Sequence, residues 1–397
     1  MEIGKPCLFL ELNDEKFILA VAQYDDNLNY KILDSTEAKS EGILNGKIID
    51  IEASSNVLKD IITSIEKKIN FTFKNIIVIS NQKNFECINI SGFKKLSGSQ
   101  IITEDISYIL NNIKKIISDN NPEKSLIHLF NSNFILDGSV LKKLPTGLHG
   151  QFYNQHLTFF LFPKHEIKNM QLTLKNCNIN IERIIFSEFV YGIKKLNTEE
   201  LSVLINFKKE KIILSVFENS SLNFSEHFNF GSNIILRDIS KVCSLDIKVV
   251  KKIFTNNFFI RDQSSEQYLD EKYFEEGRFR SISKAHLKEI INARLDEIIE
   301  KIYKKNINLT HLKFSKKKIH FFLEDLDIFN NLSKNIENNI ENSLDSVFIS
   351  SISTQDERLV PVLSSIELVA KGWEKEAIPI VHAKKSIISR LFSLFFK

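Results

Sequence analysis

Cysteine is scarce in this chain of 397 residues: Cys7, Cys87, Cys177 and Cys243, with no Cys-x-x-Cys pair among them. That spacing speaks against a zinc site or a disulfide framework and for reduced, buried thiols. Glycine counts only twelve and proline six, and no Gly-x-Gly-x-x-Gly occurs. Charge of one sign is not in excess, because 53 Lys and Arg face 50 Asp and Glu for a net charge of +3. This balance gives no nucleic-acid signature. No apolar run reaches the roughly 18 residues of a membrane-spanning helix. The opening residues Met1 to Cys7 contain no secretory apolar region, so the sequence predicts a protein kept in the cytoplasm. Phe is abundant (32 against a single Trp), as are Lys, Asn and Ile. An AT-rich coding bias produces that composition, so a single lysine or asparagine carries little functional weight.

The common catalytic motifs are also missing. There is no His-Glu-x-x-His and no Gly-x-Ser-x-Gly. Gly42 to Lys47 is one residue short of a phosphate loop and ends in Ile48, with no hydroxyl for magnesium. His149, His156 and His165 are 7 and 9 apart, which is not zinc-ligand spacing. Asp325 and Asp327 have no evident acid–base partner and read as a solvated loop.

The pattern of elements is more informative. Residues 8–12 and 17–22 alternate as two strands around a turn at Asn13-Asp14-Glu15, and 30–33 reads as a third. Residues 57–69 have helical apolar spacing, and 76–80 is a short apolar run suited to a buried parallel strand. The order predicts an α/β architecture. Thr103 reads as the N-cap of a helix to about 117, with strands at 126–130 and 156–162 around the loop 145–150. Helix 166–175, strand 181–186 and helix 188–195 follow. Strands at 202–206, 211–217 and 221–229 then open a second α/β unit, with helices at 233–241, 247–254 and 284–304 and a strand at 319–323. Its beginning echoes residues 8–69, which is a duplication of pattern rather than of residue identity.

Six segments, in order, carry the motifs of one known family. Leu10 to Lys16 resembles the first phosphate turn, an acid–Ile–Gly–Thr/Ser–x–Lys pattern. Gly42 to Asp50 resembles Gly-hydrophobic-x-x-Gly-x-Ile-x-Asp, and Pro145 to Gly150 resembles Pro-x-Gly-Met-x-Gly of the family's inserted subdomain. Glu199 to Asn206 resembles the strand into the second phosphate loop. Phe230 to Ile239 resembles Gly-Gly-x-x-Ile-Thr-x-Asp-Ile, and Glu289 to Arg294 the Glu-Ile-Ile-x-x-Arg helix. Taken together, the six segments resemble the FtsA family of actin-like bacterial cell-division proteins, and the resemblance implies an α/β, actin-like (ribonuclease-H-like, duplicated) fold with an FtsA-type inserted subdomain and a C-terminal amphipathic helix. It divides the chain into 1–83 and 165–198 (subdomain 1A), 84–164 (inserted 1C), 199–255 and 311–376 (2A), 256–310 (2B), a linker at 377–385 and a membrane-targeting helix at 386–397.

The departures bear on function. Family members hold Mg-ATP between two glycine-bearing loops whose backbone amides approach the phosphates. Here Asn13 replaces the first glycine, and Lys208, Lys209 and Glu210 replace three in the second. Asn206 stands where the family has an acid, Glu324-Asp325 replaces a later Gly-Gly, and Gly231 is followed by Ser232. The positions that the resemblance places at this degenerate site are Asn13, Lys16, Asn206, Lys211, Gly231, Ser232 and Glu289. Glycine acts there through its geometry, and a lysine does not replace it. No cofactor is therefore expected, and the chain is expected to be a pseudo-ATPase rather than an enzyme.

At the far end, Ile387, Ile388, Leu391, Phe392 and Phe395 share one helical face, which Leu394 and Phe396 widen. Ser386, Ser389, Arg390, Ser393 and Lys397 occupy the other, with Lys384 and Lys385 just before. Such a segment lies in a membrane interface with its cations near anionic headgroups. Twelve residues do not hold a helix in water, so folding accompanies binding, and several tails on one polymer bind far more strongly than one. By the resemblance, the body self-associates on the cytoplasmic face of the inner membrane at the septum and recruits later division proteins. It also binds the C-terminal peptide of FtsZ through subdomain 2B, with Lys284, His286, Lys288 and Arg294 as the candidate surface. Two alternatives stand beside this reading: an active actin-like ATPase, and a pilus or secretion scaffold similar to PilM.

Overall fold

A computed structural model describes residues 4–141, 143–196, 200–255, 281–312, 315–324, 346–351 and 359–373, with shorter pieces at 268–269 and 271–274 and residue 336. The chain divides into two compact units. The first comprises 1–199 with 217–224 and 358–397; the second comprises 200–216 and 225–357.

In the first unit, β1 (Pro6–Leu12), β2 (Lys16–Tyr24), β3 (Tyr30–Lys39), β6 (Asn75–Ser80) and β11 (Asn180–Phe186) form one sheet in the order β11-β6-β1-β2-β3. β1 is antiparallel to β2 and parallel to β6. A parallel neighbour requires a crossover, and α1 (Ile51–Ile69) provides it between β3 and β6. Leu8, Leu10 and Leu12 share their face with Leu58, Ile62 and Ile65 of α1 and with Met170 and Leu174 of α3 (Lys164–Asn176). Tyr24 points to the opposite face, and its hydroxyl donates to the carbonyl of Ile366 at 2.9 Å. There α4 (Ser187–Lys195) packs against the last described helix, 360–371.

The inserted segment has its own sheet, β7 (Glu86–Lys95), β10 (Phe152–Pro163), β8 (Lys124–Leu136) and β9 (Ser139–Leu141), in the order β7-β10-β8-β9. α2 (Thr103–Asn120) covers one face through Ile109, Leu110 and Ile113 against Tyr153, Leu157 and Phe159.

The second unit repeats the first plan. Its strands β12 (Ser202–Phe207), β13 (Ile212–Glu218), β14 (Ser221–Phe228), β15 (Lys318–Leu323) and β16 (Ser346–Ser351) run in the order β14-β13-β12-β15-β16. In both sheets the third strand of the half lies outermost, followed by the second, first, fourth and fifth, so the duplication suggested by the pattern is present in the topology. Helices α5 (Asn233–Val242), α6 (Ile247–Thr255) and α7 (Lys284–Ile299) belong to this unit, and α7 runs on into a π turn, Glu300–Lys304. α8 (Val360–Lys371) closes the described chain.

Several sequence expectations change. The first helix starts at Ile51 rather than 57, because Asp50 caps it by accepting from the Ala53 amide at 3.0 Å. Thr103 lies inside α2 and is not its cap; the Ile102 amide instead donates to Asp105 Oδ2 at 3.0 Å. Strands β7, β9 and β16 and helix α8 were not anticipated. Gly92 breaks the alternation of β7, yet a Cβ there would lie 2.3 Å from Ile109 Cγ2, so close packing against α2 requires the glycine. Residues 359–373 fall with the first unit, not with the second as the 311–376 boundary implied, and so does the hairpin tip 217–224. The linker, the tail, Asp325 and Asp327 lie outside the described residues.

Candidate functional site: two closed phosphate turns

The turn from β1 to β2 is closed by its own side chains. Asn13 Oδ1 accepts from the amides of Glu15 at 2.8 Å and Lys16 at 3.4 Å. This is an Asx turn, in which a side-chain carbonyl takes the place of a backbone acceptor. Asp14 Oδ1 accepts from the Gly46 amide at 2.7 Å, which ties this turn to the β-hairpin formed by β4 (Ile43–Leu44) and β5 (Lys47–Ile48). That hairpin, the near-miss phosphate loop of the sequence, turns through Asn45 and Gly46 at positive φ, 55° and 73°. Lys16 Nζ pairs with Glu37 on β3. The acid of the first family pattern survives as Glu11, which is buried.

The corresponding turn of the second unit is closed in a different way. Between β12 and β13 the Lys208 amide donates to the Lys211 carbonyl at 2.9 Å. The carbonyls of Lys208 and Lys209 accept from the Ser232 and Asn233 amides, both at 3.0 Å. These are first-turn amides of α5, the donors that a helix N-terminus otherwise presents to an anion. Gly231 permits the approach: a Cβ on it would lie 2.1 Å from the Lys208 carbonyl oxygen and 2.6 Å from that of Lys209. The Lys209 amide donates to Glu324 Oε2 at 3.4 Å. Glu210 takes Asn233 Nδ2 at 2.8 Å and Arg237 Nη2 at 2.9 and 2.7 Å. The Asn233 hydrogen bond, followed by Arg237, holds the Glu210 carboxyl below the ordinary glutamate range.

Phosphates of a nucleotide need amide donors that are not already engaged. In these turns the amides of Glu15, Lys16, Gly46, Lys208, Lys209, Ser232 and Asn233 are all taken within their own units. Asn206 Oδ1 and Ser232 Oγ remain buried and without a hydrogen-bond partner, but neither is a cation or a backbone amide. Among the described residues no group of three or more His, Cys, Asp or Glu could hold a metal ion. The residues present do not fit a magnesium nucleotide held in the family manner.

The structure brings Asn206, Lys211, Gly231 and Ser232 together around one turn and places Asn13 and Lys16 at the equivalent turn of the other sheet. Glu289 is absent from this turn's hydrogen bonds; it is exposed on α7, 3.5 Å from His286. Of the proposed partner surface, His286 is exposed, and Lys284 and Lys288 are half-buried. Arg294 is paired within its own unit: its guanidinium engages Asp238 of α5 and Glu297. The Asp238 hydrogen bond raises its pKa further, and the side chain fastens α7 to α5. Arg237 and Asn233 were missed as parts of the site, because each meets the turn from a distant stretch of chain; Glu324, read from the sequence only as a lost glycine, meets it as an acceptor. The tail residues Ile387, Ile388, Arg390, Leu391, Phe392, Leu394, Phe395, Phe396 and Lys397 lie outside the described residues.

The comparisons with known proteins agree with this architecture. No protein-family model matches the chain. The solved PilM–PilN type IV pilus biogenesis complex contains a chain of similar fold, with TM-score 0.55 and 8% identity over 92% of this chain and 97% of that one. Two sheets of one repeated topology, the first carrying an inserted α/β layer, give this chain an actin-like fold.

In sequence the chain is similar to curated cell division proteins named FtsA. The cell division protein FtsA of Streptococcus pneumoniae is 22% identical over 291 residues, 72% of this chain and 63% of the relative. That of Buchnera aphidicola (subsp. Schizaphis graminum) is 23% identical over 247 residues, 62% of this chain and 59% of the relative. The match thus spans about three fifths of the length of these relatives.

Proposed function

We propose that this protein is a division adaptor of the FtsA kind that works without a nucleotide switch. It tethers the FtsZ ring to the cytoplasmic face of the inner membrane through residues 386–397, self-associates there and recruits later division proteins. The FtsZ peptide, apolar and acidic, meets the first turns of α7 at Lys284, His286 and Lys288. The observation that carries the reading is the closure of both turns by their own unit's groups in a chain related to FtsA. Opening both would break at least the Asn13, Glu324, Lys208 and Lys209 hydrogen bonds before a phosphate gained any.

Titrating a fluorescent ATP analogue with magnesium into the full chain tests the proposal. No saturable binding up to millimolar concentration is expected. Micromolar binding competed by ATP would overturn it and favour the active ATPase. Sedimentation with anionic vesicles tests the tether, because deleting 386–397 should abolish co-sedimentation. Retained binding would remove the reason to prefer a division adaptor over a pilus scaffold.

A further inference from the structure

The sheet of the inserted segment has two faces, and α2 covers one of them. Register defines the other. Phe93 on β7 pairs with Asn154 on β10, Asn154 with Ile135 on β8, and Ile135 with Val140 on β9. Because side chains alternate along a strand, these four form one row pointing away from α2, and Phe152 lies one step further along the same face. Phe93, Val140 and Phe152 are 67%, 63% and 53% exposed. Three large apolar side chains so exposed on one small sheet face mark a surface that something covers.

The near end of this face is already covered from within the same unit. At the tip of the β13–β14 hairpin, Asn219 Nδ2 donates to Asn133 Oδ1 at 2.6 Å and Ser221 Oγ to the Asn131 carbonyl at 3.0 Å. The exposed row begins two residues beyond Asn133, about 7 Å along β8. The described chain leaves from the same place. Trp373 Nε1 donates to the carbonyl of Ser220 at 2.6 Å, on that hairpin tip, and its ring meets Phe189 edge-on at 6.1 Å. Residues 374–385 span up to roughly 40 Å when extended. They lead directly to Ile387, Ile388, Leu391, Phe392 and Phe395.

We propose that the open face of the inserted sheet, Phe93, Ile135, Val140 and Phe152, is the intramolecular dock of the C-terminal segment 386–397 when that segment is not on a membrane. The proposal rests on reading 386–397 as one apolar face, as the functional reading does. The same side chains cannot lie in lipid and on the sheet at once, so dock and membrane compete. Membrane attachment therefore uncovers the inserted segment, and a free molecule keeps it covered. Asn154 Oδ1, in the middle of the row, is shielded from solvent without a donor, and Ser389, Arg390 or Ser393 supplies one.

The test uses the full chain with the photo-crosslinker p-benzoyl-phenylalanine in place of Phe392. Irradiation without lipid is expected to give crosslinks within one chain, to peptides carrying Phe93, Val140 or Phe152. Vesicles containing anionic lipid should reduce them several-fold. Crosslinks elsewhere in the chain, none at all, or crosslinks between chains (a second copy covering the face) would overturn the dock. In a second arm, the Phe93→Ser/Phe152→Ser variant, altered only at exposed positions, should bind the same vesicles several-fold more tightly, because the tail is no longer held back. Unchanged vesicle binding would count against competition. A chain that crosslinks to the row but never binds vesicles would leave the dock standing and overturn the membrane tether.

Discussion

Replacing Gly231 by alanine tests the closure of the second turn most directly. The added methyl would sit 2.1 Å from the Lys208 carbonyl oxygen, 2.6 Å from the Lys209 oxygen and 2.7 Å from the Lys209 carbonyl carbon. All three are backbone atoms, so no side-chain rotation relieves the clash. The turn must withdraw from α5, which breaks the hydrogen bonds from the Ser232 and Asn233 amides. Each has a net worth of about 1 kcal/mol, and forced overpacking adds about 1–3 kcal/mol, for a total of about 3–5 kcal/mol. For a unit of this size that lowers Tm by roughly 6–20 °C. Two units need not unfold together, so hydrogen exchange resolved by peptide should accompany the thermal scan. Protection should fall in 208–213 and 231–242 and stay unchanged in the first unit. Gly138→Ala is the control: its φ is +82° and no atom lies within 4 Å of a Cβ, so only left-handed strain of about 1–2 kcal/mol is added. If Gly231→Ala were as mild as Gly138→Ala, the turn would not depend on this packing and the closure argument would fail.

Four further outcomes follow from the same geometry. Asn13→Ala removes the acceptor of the Glu15 amide and should cost about 1 kcal/mol, measured by denaturant unfolding, with Asn13→Asp restoring most of it. Arg294→Ala should destabilise the second unit by about 2 kcal/mol by stranding the half-buried Asp238, and Arg294→Lys should recover only part, since an ammonium lacks the planar fork. Glu367 joins α8 to α4 by accepting from Lys194 at 2.8 Å and also accepts from Lys371 at 2.6 Å, and these hydrogen bonds, Lys194 first, hold its pKa below the usual 4.5. A depressed carboxylate pKa stabilises above the unfolded value, and that stability is lost as pH falls through the folded one, so Glu367→Gln should be less stable than the parent at pH 7, with the gap closing as the pH falls below the ordinary glutamate range. A gap that persisted in acid would assign the loss to packing. Restoring glycine at 208–210 alone should not create ATP binding, because the Asn13 turn stays closed; measurable binding by that variant would mean that the second turn was the only barrier.

Much of the fold was legible in the order of elements. Short apolar runs such as 76–80 and 319–323 suit buried strands, and each lies between an earlier strand and a later one in its sheet. The hairpin at the start of each half announced the repeat. Where the reading failed, the local signal was weak or pointed elsewhere. Gly92 interrupts β7 because α2 sits against it, and α8 returns to the first unit although it follows the second in sequence. The site was legible as a set of substitutions. Asn13, Lys208, Lys209 and Glu210 stand where glycine belongs, and that alone raised the question of nucleotide.

By itself the sequence determined the duplicated α/β plan, the inserted segment and the apolar terminal face, because periodicity is a local property of the chain, and through the resemblance to FtsA it marked the turns that lack glycine. What those substitutions do was decided only by tertiary structure. The Lys208 and Lys209 carbonyls meet amides 24 residues further on, at Ser232 and Asn233. Glu210 reaches Arg237, 27 residues away, and Arg294 is turned from a surface residue into a clamp by Asp238, 56 residues earlier. Every buried or crowded donor must find an acceptor, and which one it finds depends on what the fold brings within 3 Å. No spacing rule along the chain carries that information.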